Sequence, residues 1–169
     1  MTEANLILLV EDNVTDLELT MHALRKENLA DVLVVMRDAA KALEFLFGKD
    51  AEGHLNPLPK LILLDLKLPN VSGLEVLAKI KADPRTKAVP VVMLTSSSEH
   101  RDLIASYKLG ANSYCVKPVA FEVFDAALRQ IALYWLKVNE ASPQHDGEAS
   151  AKVPPEPEKP GSRRKGHAA

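Results

Sequence analysis

A single cysteine, Cys115, is all that the 169-residue chain offers. No internal disulfide can form, and no tetrahedral cysteine zinc site can be assembled from the chain alone. That suits a reducing compartment. Long hydrophobic runs are missing too: no stretch approaches the roughly 18 apolar residues that a membrane helix needs. The amino terminus, MTEANLILLVEDN, lacks the basic flank and cleavage signal of a secretory peptide. A cytoplasmic protein without membrane contact is therefore expected. Neither sign of charge dominates, since 21 Lys and Arg face 23 Asp and Glu for a net charge of -2. This excludes a broad electrostatic footprint for nucleic acid or anionic lipid. Internal repeats are absent as well.

What remains is the composition of an ordinary globular protein, 47% hydrophobic and 26% charged, with length for one domain and a tail. Five short apolar runs punctuate the first two thirds: LILLV at 6–10, VLVVM at 32–36, LILLD at 61–65, VVML at 91–94 and SYCV at 113–116. Each reads as a strand. Four are almost continuously apolar, as in strands covered by helices on both faces. Between them apolar residues recur every three or four positions, first as Val14, Leu17, Met21 and Leu24, and last across residues 121–138. These are helices. Asp38 and Ser72 are good N-cap types, Gly48 and Gly110 can end helices, and Pro84 must lie beyond the helix before it. Five strand–helix alternations with short joins imply right-handed crossovers and a parallel α/β sheet between two helical layers.

From about Ala141 the composition changes. Five of the 11 prolines, Pro143, Pro154, Pro155, Pro157 and Pro160, fall in a segment whose only large apolar residue is Val153. The expectation is one folded domain over 1–140 and a disordered, proline-rich charged tail over 141–169.

Chemistry gathers where the strands end. Glu11 and Asp12 follow the first strand and Asp65 closes the third, and in a parallel sheet the carboxyl ends share one edge, where ligands bind. Three carboxylates meeting there repel one another unless a cation neutralises them. Oxygen donors alone suit a hard cation such as Mg²⁺. Singly, Asp12 reads as a helix cap, Thr95 as a strand-end hydroxyl, Tyr114 as a strand aromatic and Lys117 as a solvated charge. Together, a hydroxyl at Thr95 and an ammonium at Lys117 flanking a metal and a carboxylate describe a phosphoryl site.

The chain over residues 6–139 resembles the receiver domain of response regulators. The resemblance is carried by VEDN at 10–13, LLDLKLPNVSG at 63–73, MLTSS at 93–97 and GANSYCVKPV at 110–119. It implies a flavodoxin-like, doubly wound five-stranded parallel sheet of order 2-1-3-4-5. It further implies that Asp65 accepts the phosphoryl group, and that Glu11, Asp12, Asp65 and the backbone carbonyl of Lys67 hold Mg²⁺. Lys117 and Thr95 would contact the phosphoryl group, with Thr95 and Tyr114 forming the switch. A cis Lys117-Pro118 bond follows from the resemblance alone. The implied function is a two-component phosphorelay regulator that takes its phosphoryl group from a histidine kinase and switches protein contacts. The ending RQIALYWLKVNE at 129–140 is most similar to single-domain regulators partnered with phytochrome-type kinases.

Two other readings compete. A hydrolase of the dehalogenase type also forms an aspartyl phosphate, but it requires a second Asp two residues beyond the nucleophile as acid and base, and that position is Lys67. Self-phosphorylation and slow self-dephosphorylation are expected instead of substrate turnover. DNA binding through SRRKG at 162–166 would rest on a few tail cations with no folded reading element. Cys115 is expected to be an inert thiol.

At 100° per residue, Val123, Phe124, Ala127, Leu128, Ile131, Tyr134, Trp135 and Val138 share one arc of the last helix, available to the sheet, while Leu133 and Leu136 fall outside it. A surplus of apolar surface suggests a homodimer, with Tyr114, Leu133, Trp135 and Leu136 at its interface.

Overall fold

Three strands form the floor of the molecule because every residue in them is buried and all but Thr95 are apolar. They are β1 (Ile7–Val10), β3 (Leu61–Leu64) and β4 (Val91–Thr95), the last ending on the buried hydroxyl of Thr95. The computed structural model describes residues 5–142; the expected tail lies, beyond Ser142, outside the described residues. Two partly exposed strands, β2 (Leu33–Met36) and β5 (Ser113–Val116), close the edges. All pairings are parallel in the order β2-β1-β3-β4-β5, as the resemblance implies.

Alternation along the strands divides the core. Leu8, Val10, Ile62, Leu64 and Met93 point to one face, under α2 (Ala39–Phe47) and α3 (Gly73–Ala82). Ile7, Leu9, Leu61, Leu63, Val92 and Leu94 point to the other. There they meet Ala23 and Leu24 of α1 (Val14–Lys26) and Phe124, Leu128 and Ala132 of α5 (Phe121–Leu133). Both faces are dry, which is the arrangement that continuous apolar runs require.

Caps fix where the helices begin. The side chains of Asn13, Asp38 and Ser72 accept from the main-chain N–H of Asp16, Lys41 and Glu75, so the expected caps at Asp38 and Ser72 are present. Helix α3 stops at Ala82, ahead of Pro84. Gly110, with φ of +100° just past the end of α4 (His100–Lys108), takes the left-handed conformation that glycine adopts without strain. Helix α4 is seated differently from the rest. Its one buried residue is Ser106, whose hydroxyl has no hydrogen-bond partner.

The end of the chain corrects one expectation. Regular α-helix stops at Leu133, and Tyr134–Val138 forms a π turn, closed by the Asn139 N–H donating to the Tyr134 carbonyl at 2.8 Å. A π turn holds more residues than an α turn, so side chains after it lag behind a 100° projection. Trp135 packs against the core beside Ala132, on the arc expected to face the sheet, and Leu136, expected outside that arc, packs there too. Val123, Tyr134 and Val138, expected to face the sheet, are instead 56%, 50% and 67% exposed.

A second correction concerns Pro118. No cis peptide bond occurs among the described residues, so Lys117-Pro118 is trans. The trans form is the lower-energy state by about 0.5–1 kcal/mol, and Lys117 reaches its partners from it.

Candidate functional site

The register of β1, β3 and β4 assembles the site. Val10 lies beside Leu64, and Leu64 beside Met93, so Glu11 and Asp65, one residue further on, emerge side by side at the carboxyl edge. Main-chain bonds carry the ladder past the strand ends: Asp65 N–H donates to the Val10 carbonyl, and Lys117 N–H to that of Thr95. The chain leaves β1 toward β2 on one side, whereas β3 lies on the other. This reversal opens the crevice that such sheets use for ligands.

Oxygens of Glu11, Asp12 and Asp65 come within 4.8 Å of one another. Glu11 and Asp65 are buried, while Asp12 is half-buried. A buried all-oxygen set of this kind fits a hard divalent cation and would hold it with one or two carboxylates. Lys117 spans the cluster. Its Nζ donates to Glu11 Oε2 at 2.5 Å, Asp16 Oδ2 at 2.8 Å and Asp65 Oδ2 at 3.2 Å. The other Asp65 oxygen, Oδ1, accepts from the Lys67 N–H at 3.2 Å. Lys67 itself is exposed, so its cation stays in solvent.

Negative charge is in surplus here, and both partners of the central pair show it. Burial, reinforced by the charge of Asp65, pushes the Glu11 carboxyl up to about 7 against the opposing pull of Lys117. Burial alone would lower the Lys117 ammonium, but hydrogen bonds to Asp16 and Glu11 and the charge of Asp65 raise it on balance. The ammonium is therefore firmly protonated.

Thr95 is fully buried at the end of β4, and its Oγ1 accepts from the Ser97 N–H at 3.1 Å. Tyr114 lies against the α2–α3 side of the core, and its hydroxyl donates to the Ser97 carbonyl. The structure thus brings Glu11, Asp12, Asp65, Thr95 and Lys117 to one edge, with Tyr114 one loop away. Two contributors went unread in the sequence. Asp16 lies in α1, and only the fold brings it to Lys117. Ser97 sits two residues beyond Thr95 in MLTSS, where the repeated hydroxyls were the sole signal.

A parallel sheet whose carboxyl edge carries three converging carboxylates, a lysine and a buried threonine defines a receiver domain. The chain belongs to the response regulator receiver domain family, which matches it over residues 7–129, and it is a response regulator of two-component signalling. It is 41% identical over 134 residues to the probable methanogenesis regulatory protein FilR2 of Methanothrix harundinacea, covering 79% of this chain and 85% of that protein. It is 40% identical over 131 residues to response regulator Rcp1 of Synechocystis, covering 78% and 88%. The solved Mn²⁺-bound form of Rcp1 superposes with a TM-score of 0.74 at 38% identity, covering 82% of this chain and 99% of Rcp1. Phosphorylated RcpA, a cyanobacterial phytochrome response regulator, gives a TM-score of 0.74 at 36% identity, over 81% and 97%. Receiver domains of this family bind a divalent metal at the acidic pocket, partner histidine kinases, and are in general signalling proteins. Among the described residues no helix is long and apolar enough to cross a membrane.

Proposed function

We propose that Asp65 is the phosphoacceptor, and that phosphorylation there switches the protein contacts of this chain. The observation that carries this is the carboxylate of Asp65 set among Glu11, Asp12 and Lys117. An Asp65 oxygen attacks phosphorus and forms a P–O bond, while the bond from phosphorus to the donor's imidazole nitrogen breaks and the imidazole departs with the electron pair. Mg²⁺ would be held by Glu11, Asp12, Asp65 and the Lys67 carbonyl, and when bound it supplies positive charge for the transferring oxygens. Lys117 supplies the protein's own. No acid–base residue stands at position 67, so hydrolysis of the aspartyl phosphate is slow and no external substrate is turned over.

The donor we propose is a phytochrome-type histidine kinase in the cytoplasm, by likeness to Rcp1 and RcpA. Self-association is part of the same reading. Ile104 and Tyr107 on α4, Val116 on β5 and Val123 on α5 are exposed apolar residues, and a two-fold pair through α4, β5 and α5 would cover them. Tyr114 and Leu133 would lie at its margin.

Intact mass spectrometry after incubation with acetyl phosphate and Mg²⁺ tests the phosphoacceptor. One phosphoryl group should add, and none with Asp65→Asn or with EDTA present. An adduct that persists in Asp65→Asn would overturn the reading.

A further inference from the structure

We propose that Asp16 is a positioning residue for phosphoryl transfer: it anchors the Lys117 ammonium from the side of α1, so that the N–H aimed at Asp65 is the one released to the arriving phosphoryl oxygen. This rests on Asp65 as the phosphoacceptor.

An ammonium has three N–H donors and no acceptor. At Lys117 all three are engaged, with Glu11 at 2.5 Å, Asp16 at 2.8 Å and Asp65 at 3.2 Å. The longest bond is the one to the nucleophile. When an Asp65 oxygen bonds to phosphorus, as the donor's bond to phosphorus breaks, negative charge leaves the carboxylate and gathers on the phosphoryl oxygens. The third N–H can follow it while the other two stay in place, so little reorganisation is needed at the moment of transfer.

Asp16 is free for this task because the usual work of its position is done by others. A carboxylate three residues beyond an N-cap often reaches back to the N-cap N–H. Here the N–H of Asn13 goes to Glu11 Oε1 at 3.0 Å, and Asn13 caps the helix by accepting from the Asp16 N–H. The Asp16 side chain crosses instead to Lys117. Nor is it one of the three converging carboxylates, so its bond to Lys117 does not depend on an oxygen that a cation would take. Asp16 and Lys117 line a cleft of about 290 Å³ whose walls include Leu19, Val119, Phe121 and Phe124. Such apolar walls strengthen a charge-assisted hydrogen bond.

The test compares rates of aspartyl phosphate formation from acetyl phosphate and Mg²⁺ in the full chain. Asp16→Ala should be slower by about tenfold or more, the scale of one charge-assisted bond, with an unchanged melting temperature. Asp16→Asn, whose amide oxygen still accepts the bond, should recover most of the loss, and Asp16→Ser provides a second truncation should the alanine variant fold poorly. A merely structural role would not move the ¹H–¹⁵N cross-peak of the Lys117 ammonium. Held by three acceptors, that peak should be sharp in the parent, lost to water exchange in Asp16→Ala and restored in Asp16→Asn. Phosphorylation of either truncation at the parent rate overturns the proposal and leaves the phosphoacceptor reading intact. Failure of the parent chain to form any adduct refutes that reading, and this proposal with it.

Discussion

The hydroxyl of Tyr114 donates to the main-chain oxygen of Ser97 at 2.9 Å, which ties the edge strand β5 to the loop leaving Thr95. Ser97 is held at three further points, one of them its hydroxyl accepting from the Glu99 N–H at 3.3 Å. Its N–H donates to Thr95 Oγ1 at 3.1 Å, and its hydroxyl donates to Asp102 Oδ2 of α4 at 2.6 Å. A threonine hydroxyl has one donor and two acceptor positions, so Thr95 can donate to a phosphoryl oxygen without releasing Ser97. Movement of Thr95 is then movement of Ser97, Tyr114 and the start of α4.

Thr95→Ala should therefore uncouple acceptance from output. The variant still takes one phosphoryl group by mass spectrometry, because Asp65 and Lys117 are untouched. Its phosphorylated form should shift partner binding or self-association far less than that of the parent protein. Equal shifts in the two proteins would remove Thr95 from the switch.

Glu11 gives the metal-free protein a pH dependence of defined sign. Its folded value, raised by burial to about 7, lies above the ordinary 4.5. The folded state binds the extra proton between these values, so the stabilising contribution is complete below 4.5 and is lost as pH rises through about 7. The slope for one such proton is at most about 1.4 kcal/mol per pH unit. Urea titrations of metal-free protein across this window should show stability falling with pH, and Glu11→Gln should flatten that part of the profile.

Gly73 admits no side chain. A Cβ there would collide with the carbonyl oxygen of Asp65 and come within 2.7 Å of Leu66 Cα, while the Gly73 N–H donates to the Leu66 carbonyl at 2.8 Å. Gly73→Ala must push the 65–73 loop outward, at about 1–3 kcal/mol or more. Thermal unfolding should show that loss, and Mg²⁺ titration of the folded fraction should show weakened binding, since the displaced residue is Asp65.

Substitutions at the two apolar regions should separate folding from association. Leu136→Glu places a charge against the core and should lower stability by about 2 kcal/mol or more, visible in the melting temperature. Ile104→Glu lies on exposed surface and should leave the melting temperature within a degree or two while weakening any dimer seen by light scattering. A dimer unaffected by Ile104→Glu would move the interface elsewhere.

The strands and their order of burial were legible because apolar runs are a local signal, and the carboxylates at 11, 12 and 65 because strand ends share one edge. Asp16 was not, since its meeting with Lys117 joins residues 101 apart and leaves no trace in helical periodicity. The π turn escaped for a related reason. Residues 134–138, YWLKV, carry no glycine or proline to mark a departure from the α-helix. The cis bond expected at Pro118 came from likeness and not from the residues, and the backbone adopts the lower-energy isomer.

Helix α4 has one fully buried residue, Ser106, whose hydroxyl is unpartnered, beside half-buried Leu103 and Ala105, and Ser97 links its first turn to Thr95. A helix with so few fully buried residues is coupled to the site through these bonds, and such coupling runs in both directions. A partner that binds α4 more tightly in the phosphorylated protein must favour that state by the same factor by which phosphorylation favours its binding. A downstream partner in excess would thus act on the equilibrium of the aspartyl phosphate itself, and the abundance of the listener would help to set how strongly the signal is held.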